Sequence, residues 1–306
     1  MAKTSVPDDA PVVYPPVTVM QFDGSGDSID CGSGASLNLT KTLTFEAWVK
    51  CENARGGFLF IKVGANGAYH YAGYIQEERD NIIFAHSTAT KKNVMPSLKC
   101  EVPRHKWLHI AVVFNSKQVY LVADGQPGES KAVEGEILDN ENLPLRLGHG
   151  YNRPGYFFQG QMAEVRVWNV ARTADEIKNH MSQRLRGDEP GLAGYWPLDD
   201  GSGTTANDKT KNGNHGTIHG ATWFTADDLQ LVPAPKPKKK KTKKAAKGKT
   251  ATSDPTLHIP AAQPRTLHAT GLEDYNYWWE TLLKQQLAKQ KKSEAKKPYR
   301  RGRIWS

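Results

Sequence analysis

The stretch Met162-Ala-Glu-Val-Arg-Val-Trp168 alternates large apolar side chains with polar or small ones. This period of two predicts a β-strand with one buried face, because successive side chains of a strand point to opposite sides. Leu43-Thr-Phe-Glu-Ala-Trp-Val49 and, in part, Trp107-Leu-His-Ile-Ala-Val-Val-Phe114 follow the same pattern. Gly, Asn, Asp and Pro separate short runs of this kind from Val17 to Phe224. The spacing predicts an all-β fold, a two-sheet antiparallel sandwich.

Large apolar residues supply the predicted core of this sandwich. Phe22 and Ile29 can point inward around a turn at Asp23-Gly24. Four tryptophans have the size to fill the space between two sheets: Trp48, Trp107, Trp168 and Trp196. The run Val119-Tyr-Leu-Val-Ala followed by Asp124-Gly125 predicts a strand that enters a tight hairpin.

One segment predicts a helix on the sandwich. Thr173-Ala-Asp-Glu176 is a capping box, which satisfies backbone N–H groups at a helix start. Apolar residues then recur at helical spacing at Ile177, Met181 and Leu185, and Gly187 and Pro190 are expected to end the helix.

Charge is divided unevenly along the 306 residues. Up to Val232 there are 22 Lys and Arg against 27 Asp and Glu, whereas from Pro233 onward there are 19 against 5. The body is therefore acidic and the C-terminal part strongly basic. No stretch of about 18 uncharged apolar residues occurs, which argues against a transmembrane protein and against a membrane partner.

The N-terminus and the cysteines bear on the compartment. Asp8 and Asp9 have no apolar run behind them, so the start resembles neither a secretory signal nor a transit peptide. Cys31, Cys51 and Cys100 are odd in number and lack Cys-x-x-Cys spacing, which predicts unreactive thiols rather than disulfides or a zinc site. We expect an intracellular, non-secreted protein of the cytoplasm or of an organellar or ciliary assembly.

Residues 19–224 carry a family resemblance, which rests on ordered blocks. These are Met20-Gln-Phe-Asp-Gly-Ser-Gly-Asp-Ser-Ile-Asp30, Phe45-Glu-Ala-Trp-Val-Lys50, Lys106-Trp-Leu-His-Ile-Ala-Val-Val-Phe114, Pro144-Leu-Arg-Leu-Gly148, Phe158-Gln-Gly-Gln-Met-Ala-Glu-Val-Arg-Val-Trp-Asn169, Gly194-Tyr-Trp-Pro-Leu-Asp-Asp-Gly-Ser-Gly-Thr204 and Gly213-Asn-His-Gly-Thr217 to Ala221-Thr-Trp223. Together they resemble the laminin-G-like (LamG) jelly rolls of the concanavalin A-like lectin and glucanase superfamily. We therefore divide the chain into an N-terminal extension (1–18), a jelly-roll sandwich (19–226), a basic Lys/Pro-rich linker (227–270) and an amphipathic helix with a basic aromatic arm (271–306).

The resemblance implies a candidate calcium site. Similar members often bind calcium, which takes six to eight oxygen ligands, and the matching positions here are Asp23, Asp199 and Asp208. Lys209 and Lys211 depart from the family pattern and place two positive charges beside that site. No cofactor is required by the sequence, and calcium is the one that the resemblance suggests.

The resemblance also raises glycan hydrolysis and glycan binding. Glucanases use two paired carboxylates, and no pair here reproduces that arrangement; Glu164 lies in a strand of hydrophobic residues and Arg. We expect no enzyme. Non-catalytic sugar binding uses aromatic rings that stack on the sugar face while amides bond its hydroxyls. The candidates in or near loops are Tyr69, Tyr71, Tyr74, His149, Tyr151, Tyr156 and Phe157. Of these, Tyr69, Tyr151 and Tyr156 are the ones selected for stacking, with packing as the alternative role.

The C-terminal part predicts a polyanion-binding arm, because concentrated positive charge binds polyanions through counterion release. The candidate contacts are Lys238, Lys239, Lys240, Lys241, Lys243, Lys244, Arg300, Arg301 and Arg303. Aromatic residues that are costly to leave exposed predict docking to a partner: Tyr275, Tyr277, Trp278, Trp279 and Trp305. The partner is RNA or the acidic surface of tubulin, and the Lys run 236–249 is alternatively a nuclear address.

These observations predict a non-catalytic scaffold subunit. Its LamG-like body makes contacts with protein subunits of a large complex, and its basic tail anchors it to an anionic assembly. A ribosome-like ribonucleoprotein is favoured, since Arg and aromatic residues are mixed at the C-terminus. The alternatives are a ciliary microtubule-associated structural protein and a calcium-assisted carbohydrate-binding lectin module.

Overall fold

The computed structural model describes residues 15–52, 56–76, 81–139, 142–151 and 155–235. All of them belong to the first of the two units, Met1–Lys236, into which the chain divides. Most of the predicted N-terminal extension and the whole basic arm from Lys236 onward lie outside the described residues. Within the described residues, no helix is both long enough and apolar enough to cross a membrane.

The described residues form two antiparallel sheets of eight strands each, which confirms the predicted jelly-roll-like sandwich. Sheet A contains β1 (Val17–Asp23), β3 (Leu43–Cys51), β8 (Trp107–Phe114), β9 (Gln118–Ala123), β10 (Gln126–Ala132), β12 (Gln159–Trp168), β13 (Leu192–Trp196) and β16 (Thr222–Ala226). Sheet B contains β2 (Ser28–Asp30), β4 (Gly57–Val63), β5 (Tyr69–Ile75), β6 (Asn81–His86), β7 (Ser97–Lys99), β11 (Arg146–Leu147), β14 (Thr205–Ala206) and β15 (Gly216–His219). The order in sheet A is β10-β9-β8-β3-β12-β1-β16, with β13 also paired to β12; in sheet B it is β14-β15-β2-β11-β4-β5-β6-β7.

The core lies between the two sheets and contains alternate side chains of the longer strands, such as β3 and β8. Phe45 of sheet A stacks on Phe60 of sheet B with 3.9 Å between ring centroids. At the other end of sheet B, Ile29, Leu147 and Ile218 pair across β2, β11 and β15 and are all buried in the core. Their strand neighbours therefore lie on the outer face of sheet B, because side chains alternate along a strand.

The tryptophans do not all fill the space between the sheets, so this prediction was wrong for three of the four. Trp196 is in the core, but Trp48 and Trp107 pack on the outer face of sheet A, and Trp168 lies in a separate cluster with Leu185. The reason is the alternation in β3 and its neighbours: where one residue points inward, as Phe45 does, the residue three positions on points outward.

Two local predictions are confirmed. The helix α1 (Ala174–His180) begins with the capping box, in which the Thr173 side chain accepts a hydrogen bond from Glu176 N and the Glu176 side chain accepts one from Thr173 N. The β9–β10 hairpin turns at Asp124 and Gly125, whose φ angles are +46° and +69°. Such positive φ angles are those of the tight turns that join antiparallel strands.

The helix ends at His180, earlier than the apolar spacing predicted. Beyond it the chain pairs with the C-terminal end of the body, where Arg184 N donates to the carbonyl of Val232 at 2.8 Å. Leu185 is buried beside Trp168, but it reaches this position from a non-helical segment. The pattern thus identified a buried residue and assigned it to the wrong element.

The folded body extends beyond the predicted boundary at 226. Residues 227–232, here called the strap, lie on the outer face of sheet A, with Leu229 and Leu231 buried in a cluster that includes Val19. Asp228 accepts a hydrogen bond from Trp107 Nε1 at 2.8 Å and forms an ion pair with Lys50 Nζ at 2.6 Å. The strap precedes the Lys run, so its two leucines can be buried without burying those charges.

We expect Leu229→Ala in the full chain to lower the free energy of unfolding by about 2–5 kcal/mol, because it leaves a cavity under the strap. Gln230→Ala changes an exposed neighbour of the same strap and is expected to stay within about 0.5 kcal/mol. Urea unfolding followed by tryptophan fluorescence measures both. Equal stability of the two variants would show that the strap is not part of the folded body.

Candidate functional site

The structure does not bring the predicted calcium ligands together. Among the described residues, no group of three or more His, Cys, Asp or Glu side chains is arranged to hold a metal ion. Asp23 lies at the end of β1 and is exposed, and its Oδ1 accepts a hydrogen bond from Ser25 N at 2.7 Å. Asp199 forms an ion pair with Arg184.

Asp208 is buried and its carboxylate is saturated by neighbours. Oδ1 accepts from Tyr195 N at 3.0 Å and from Thr210 N at 2.8 Å. Oδ2 accepts from Thr210 Oγ1 at 2.9 Å and from Asn214 N at 2.8 Å. This side chain therefore joins the loop after β14 to strand β13, and its lone pairs are used.

The residues at this loop do not fit a calcium ion. A calcium site needs several carboxylate and carbonyl oxygens that point to one position, whereas Asp199 and Asp208 each bind their own protein partners. Lys209 Nζ lies 3.2 Å from Asp200 Oδ1, so the carboxylate of Asp200, next to Asp199 in the chain, is already paired with a lysine. The assignment of Asp23, Asp199 and Asp208 to one calcium site was wrong, because local backbone N–H groups and cations satisfy these acids.

A second set of acidic residues forms a buried network on the outer face of sheet A. Arg166 Nη2 is 2.9 Å from Glu164 Oε2, and Arg166 Nη1 is 3.8 Å from Glu46 Oε1. Tyr195 Oη donates to Glu164 at 2.8 Å, and Trp168 Nε1 donates to Glu46 at 2.7 Å. The residues of this network are buried almost completely.

The geometry of the network explains its protonation. Burial by itself raises the pKa of Glu46, but the adjoining His109 and the positive charge of Arg166 lower it to about 2. Burial alone lowers the pKa of Arg166, and the two carboxylates raise it above its usual value. Both Glu46 and Arg166 are therefore charged and mutually neutralised at neutral pH.

This network lacks the access that catalysis requires. Arg166 also donates to the carbonyls of His180 at 3.0 Å and Gln183 at 2.6 Å, so the segment after α1 covers it. A glycosidase needs its two carboxylates on either side of a bound sugar, and Glu46 and Glu164 are instead enclosed by protein. The network holds the segment after α1 against sheet A.

The three predicted glycan-stacking tyrosines occupy different environments. Tyr69 is 1% exposed, so it is not accessible for stacking on a sugar, and this prediction was wrong. Tyr151 and Tyr156 are half-buried; Tyr151 Oη donates to the carbonyl of Gly64 at 3.2 Å, and the Tyr156 ring lies 6.2 Å from that of Phe58. Tyr69 therefore has the alternative role, packing, whereas Tyr151 and Tyr156 are partly exposed.

The outer face of sheet B carries an accessible set of polar residues, of which the sequence singled out only His149. Thr217, Asp30 and Arg146 pair in one row across β15, β2 and β11. Their neighbours in the strands point into the core, so these three point outward. His219 follows the core residue Ile218 in β15 and so also points outward, and His149 lies close enough to Arg146, Asp30 and His219 for their charges to act on it. We call Asp30, Arg146, His149, Thr217 and His219 the polar strip.

The polar strip offers both donors and acceptors at the surface. Arg146 Nε is 3.0 Å from Asp30 Oδ2, and both side chains keep roughly 30% of their surface exposed, at 31% and 28%. Burial lowers the pKa of His149, and the charge of Arg146 lowers it further. His149 is thus a neutral hydrogen-bonding group at neutral pH, and its ring lies 5.4 Å from that of Phe157. A pair of fixed charges beside an aromatic ring suits a hydroxyl-rich or polar ligand.

The outer face becomes apolar on the other side of the polar strip. Ile61, Ala72 and Ala85 continue the same row across β4, β5 and β6, and all three are buried. The accessible part of the row therefore runs from Thr205 of β14 to Arg146 of β11. Sequence alone does not reveal this site, since Asp30 and Arg146 are 116 residues apart and meet only through strand register.

With the fold described, comparison with known proteins identifies the family. Residues 23–178 match the laminin G model described as the concanavalin A-like lectin/glucanases superfamily. The chain belongs to this superfamily. Adhesion G-protein coupled receptor V1 of Danio rerio is 24% identical over 161 residues, which are 50% of this chain and 2% of the receptor. The chain thus spans a very small part of that relative.

Solved structures agree on the fold. A protein from Bacteroides ovatus assigned to carbohydrate binding shares 20% identity with a TM-score of 0.58, and the match covers 72% of this chain and 62% of that one. The native heptameric SAP-like pentraxin of Limulus polyphemus shares 12% identity with a TM-score of 0.50, over 70% and 98% of the two chains. At these identities the likeness concerns the sandwich and not a ligand.

The remaining predicted site residues lie outside the described residues. These are the polyanion-binding Lys238, Lys239, Lys240, Lys241, Lys243, Lys244, Arg300, Arg301 and Arg303, and the docking residues Tyr275, Tyr277, Trp278, Trp279 and Trp305. The three cysteines are described; each is buried, and none of them is in a disulfide.

We expect Asp208→Ala to lower the free energy of unfolding by about 1–3 kcal/mol, because buried N–H groups lose their acceptor. The loss is expected to be the same with calcium and with a chelator. Asp23→Ala, an exposed member of the predicted calcium set, is the control and is expected to have little effect. Thermal unfolding in both buffers measures the change. A calcium-dependent stabilisation that disappears in Asp208→Ala would restore the calcium site.

Proposed function

We propose that this chain is a non-catalytic binding protein, a structural subunit whose sandwich contacts partner proteins and whose basic extension anchors it to a large anionic assembly inside the cell. The charge distribution carries this proposal. The 74 residues from Pro233 onward hold 19 Lys and Arg against 5 Asp and Glu, beside a body with an acidic excess. Such an extension binds polyanions by releasing their counterions.

A ribonucleoprotein is the favoured assembly. Tyr299 and Trp305 alternate with arginines at the C-terminus, and this combination suits stacking on unpaired bases together with phosphate contacts. An acidic microtubule surface of a cilium is the alternative, since charge alone attracts the extension to either. No zinc-finger, helix-turn-helix or RNA-recognition motif occurs in the sequence, so we expect binding without base specificity.

The described acids support a non-catalytic role. Glu46 and Glu164 are enclosed with Arg166, and Asp208 is saturated by hydrogen bonds. All three are buried, so none of them has the solvent access through which a general acid or base would reach a substrate. The matched superfamily contains lectins, which bind without chemistry, as well as glucanases, so the enclosed acids carry this part of the proposal.

Carbohydrate binding at the polar strip is the second candidate function. The pair of Arg146 and Asp30 with His149 provides exposed donors and acceptors of fixed geometry, and the half-buried Tyr151 follows closely, its N donating to His149 Nδ1 at 2.9 Å. Sugar hydroxyls bind to such polar groups while aromatic residues contact the ring faces. The Bacteroides ovatus protein of the same fold, assigned to carbohydrate binding, favours this use of the sandwich.

We expect the full chain to bind single-stranded RNA with an affinity that falls steeply with salt. Replacement of Arg300, Arg301 and Arg303 by Gln should weaken binding and make the slope of log K against log salt shallower, by about 0.7 for each phosphate that is no longer neutralised. Fluorescence anisotropy at several salt concentrations measures the slope. The matched control replaces three exposed lysines of the sandwich, Lys41, Lys106 and Lys117, by Gln and should leave the slope unchanged.

Three outcomes are informative. An equal effect of the control would show that the sandwich, not the extension, binds RNA. Salt-independent binding would contradict the counterion mechanism. Tighter binding to microtubules than to RNA at the same salt concentration would replace the ribonucleoprotein by the ciliary alternative.

The second candidate function predicts that the full chain binds at least one oligosaccharide of an array of neutral and acidic ones. We expect Arg146→Ala to weaken that binding about tenfold, because the variant removes one charged hydrogen bond. Arg184→Ala is the matched control, because Arg184 is also paired with an aspartate and similarly exposed, but lies outside the polar strip. Absence of binding to every oligosaccharide, or an equal loss in both variants, would exclude the polar strip as a sugar site.

A further inference from the structure

His86, the last residue of β6, is a buried imidazole without a hydrogen-bond partner. Its exposed fraction is 0%, and neither Nδ1 nor Nε2 is bonded to any described residue. The ring packs against Phe84 and Phe114, with 5.4 and 5.1 Å between ring centroids. Native proteins rarely leave a buried polar side chain without a partner, so the position of this ring requires an explanation.

The two other buried histidines of the described part each have an acceptor beside the ring. His109 Nε2 lies 3.3 Å from Glu46 Oε2, and His70 Nδ1 lies 2.8 Å from the carbonyl oxygen of Leu138. A carboxylate or a carbonyl in this position can accept a hydrogen bond from a protonated imidazole. His86 has no such acceptor, so its positive form is unfavourable where it lies.

The described groups packed against His86 include no carboxylate. Tyr71 lies beside it on β5, and Lys62 lies beside Tyr71 on β4; both side chains donate to the carbonyl of Leu37. Strand β8 contributes the apolar Phe114. Burial alone lowers the pKa of His86, to about 4. Within 87–99, 115–117 and 133–138, the charged residues are exposed: Lys91, Lys92, Lys99, Lys117, Glu134 and Glu136.

The edge of sheet B runs beside His86. Strand β7 is the last strand of this sheet, and the residues before it continue the edge: His86 N donates to the carbonyl of Val94 at 2.9 Å, and Val94 N to that of His86 at 2.7 Å. We name residues 94–99 the edge segment. Within the described part its backbone is hydrogen-bonded to β6, and Lys99 N also donates to the carboxylate of Glu129. A groove of about 620 Å³ lies between the edge segment and β10.

We propose that the edge segment is an acid-sensitive switch, which pairs with β6 while His86 is neutral and separates from it when His86 is protonated. The switch is independent of the proposed function. An edge strand loses the hydrogen bonds of one pairing when it separates, whereas an inner strand loses those of two. Separation of the edge segment therefore brings water to the positive ring at a lower cost than separation of inner strands. It also opens the groove toward the core, because Leu98 of this segment is buried there.

The switch responds to acid. His86 has a lower pKa in the folded chain than the 6.5 that is usual for histidine. The stability that its neutral ring gives to the paired edge is therefore complete above pH 6.5 and is lost as the pH falls toward 4. We expect the equilibrium for separation to be about twentyfold more favourable at pH 5 than at pH 7.

Hydrogen–deuterium exchange of the full chain, read by mass spectrometry at pH 7 and pH 5 and corrected for intrinsic exchange rates, measures this equilibrium. We expect the protection of a peptide that covers the edge segment to fall about twentyfold at pH 5. A peptide from β12, which is paired on both sides within sheet A, is the internal reference and should lose less. Unchanged protection of the edge segment, or an equal loss in β12, would overturn the proposal.

Two variants, His86→Leu and His86→Phe, remove the titrating ring and keep an apolar side chain of similar size. Each should abolish most of the difference between pH 7 and pH 5 at the edge segment. His219→Leu is the matched control, because His219 is an exposed histidine of the same sheet, and it should behave as the wild type does. Circular dichroism checks that the variants are folded, and one folded His86 variant is sufficient for the comparison. An acid response that persists in that variant would contradict the role of His86.

Discussion

Strand β12 has to bury both of its faces, and much of the outer structure follows from this. Its inward residues, such as Val165 and Val167, lie in the core, while Glu164 and Arg166 point away from it and are also buried. Buried charges require partners that neutralise and hydrogen-bond them. Glu46 of the neighbouring strand β3 and the backbone carbonyls of the segment after α1 are such partners for Arg166.

The backbone after α1 serves the same network. The carbonyls of His180 and Gln183 lie at and beyond the end of α1, where both accept from Arg166, and His180 O also accepts from Gln183 N at 3.0 Å. A helix continued to Leu185 would direct the Arg184 N–H to the carbonyl of His180 and so remove its hydrogen bond to the carbonyl of Val232. The end of α1 at His180 thus lets the following segment pair with the strap.

The sequence predicted the features that depend on neighbours along the chain. Alternation located β3, β8 and β12, and the capping box and the Asp-Gly turn were found because each involves residues within a few positions. Register, by contrast, is a long-range property. It decides that Asp30 meets Arg146, which no local pattern shows. For this reason the sequence pointed to His149 but not to the Asp30–Arg146 pair beside it.

Acidic side chains in this sandwich serve largely as acceptors for backbone N–H groups. Asp124 accepts from His109 N at 2.8 Å, and Glu189 accepts from the N–H groups of Arg186 and Gly187 at 2.9 Å. Asp208 does the same at three backbone positions. A cation would have to displace such bonds before it gained a ligand, which costs more than binding a free carboxylate. The acidic excess of the body therefore does not imply a cation site.

Loops rich in Asp, Asn and Gly are the places where backbone groups lack strand partners, so they need acceptors whether or not a metal is bound. What distinguishes the two cases is the direction of the nearby N–H groups: where these point at the carboxylates, as they do at Asp208, the acids stabilise the loop itself.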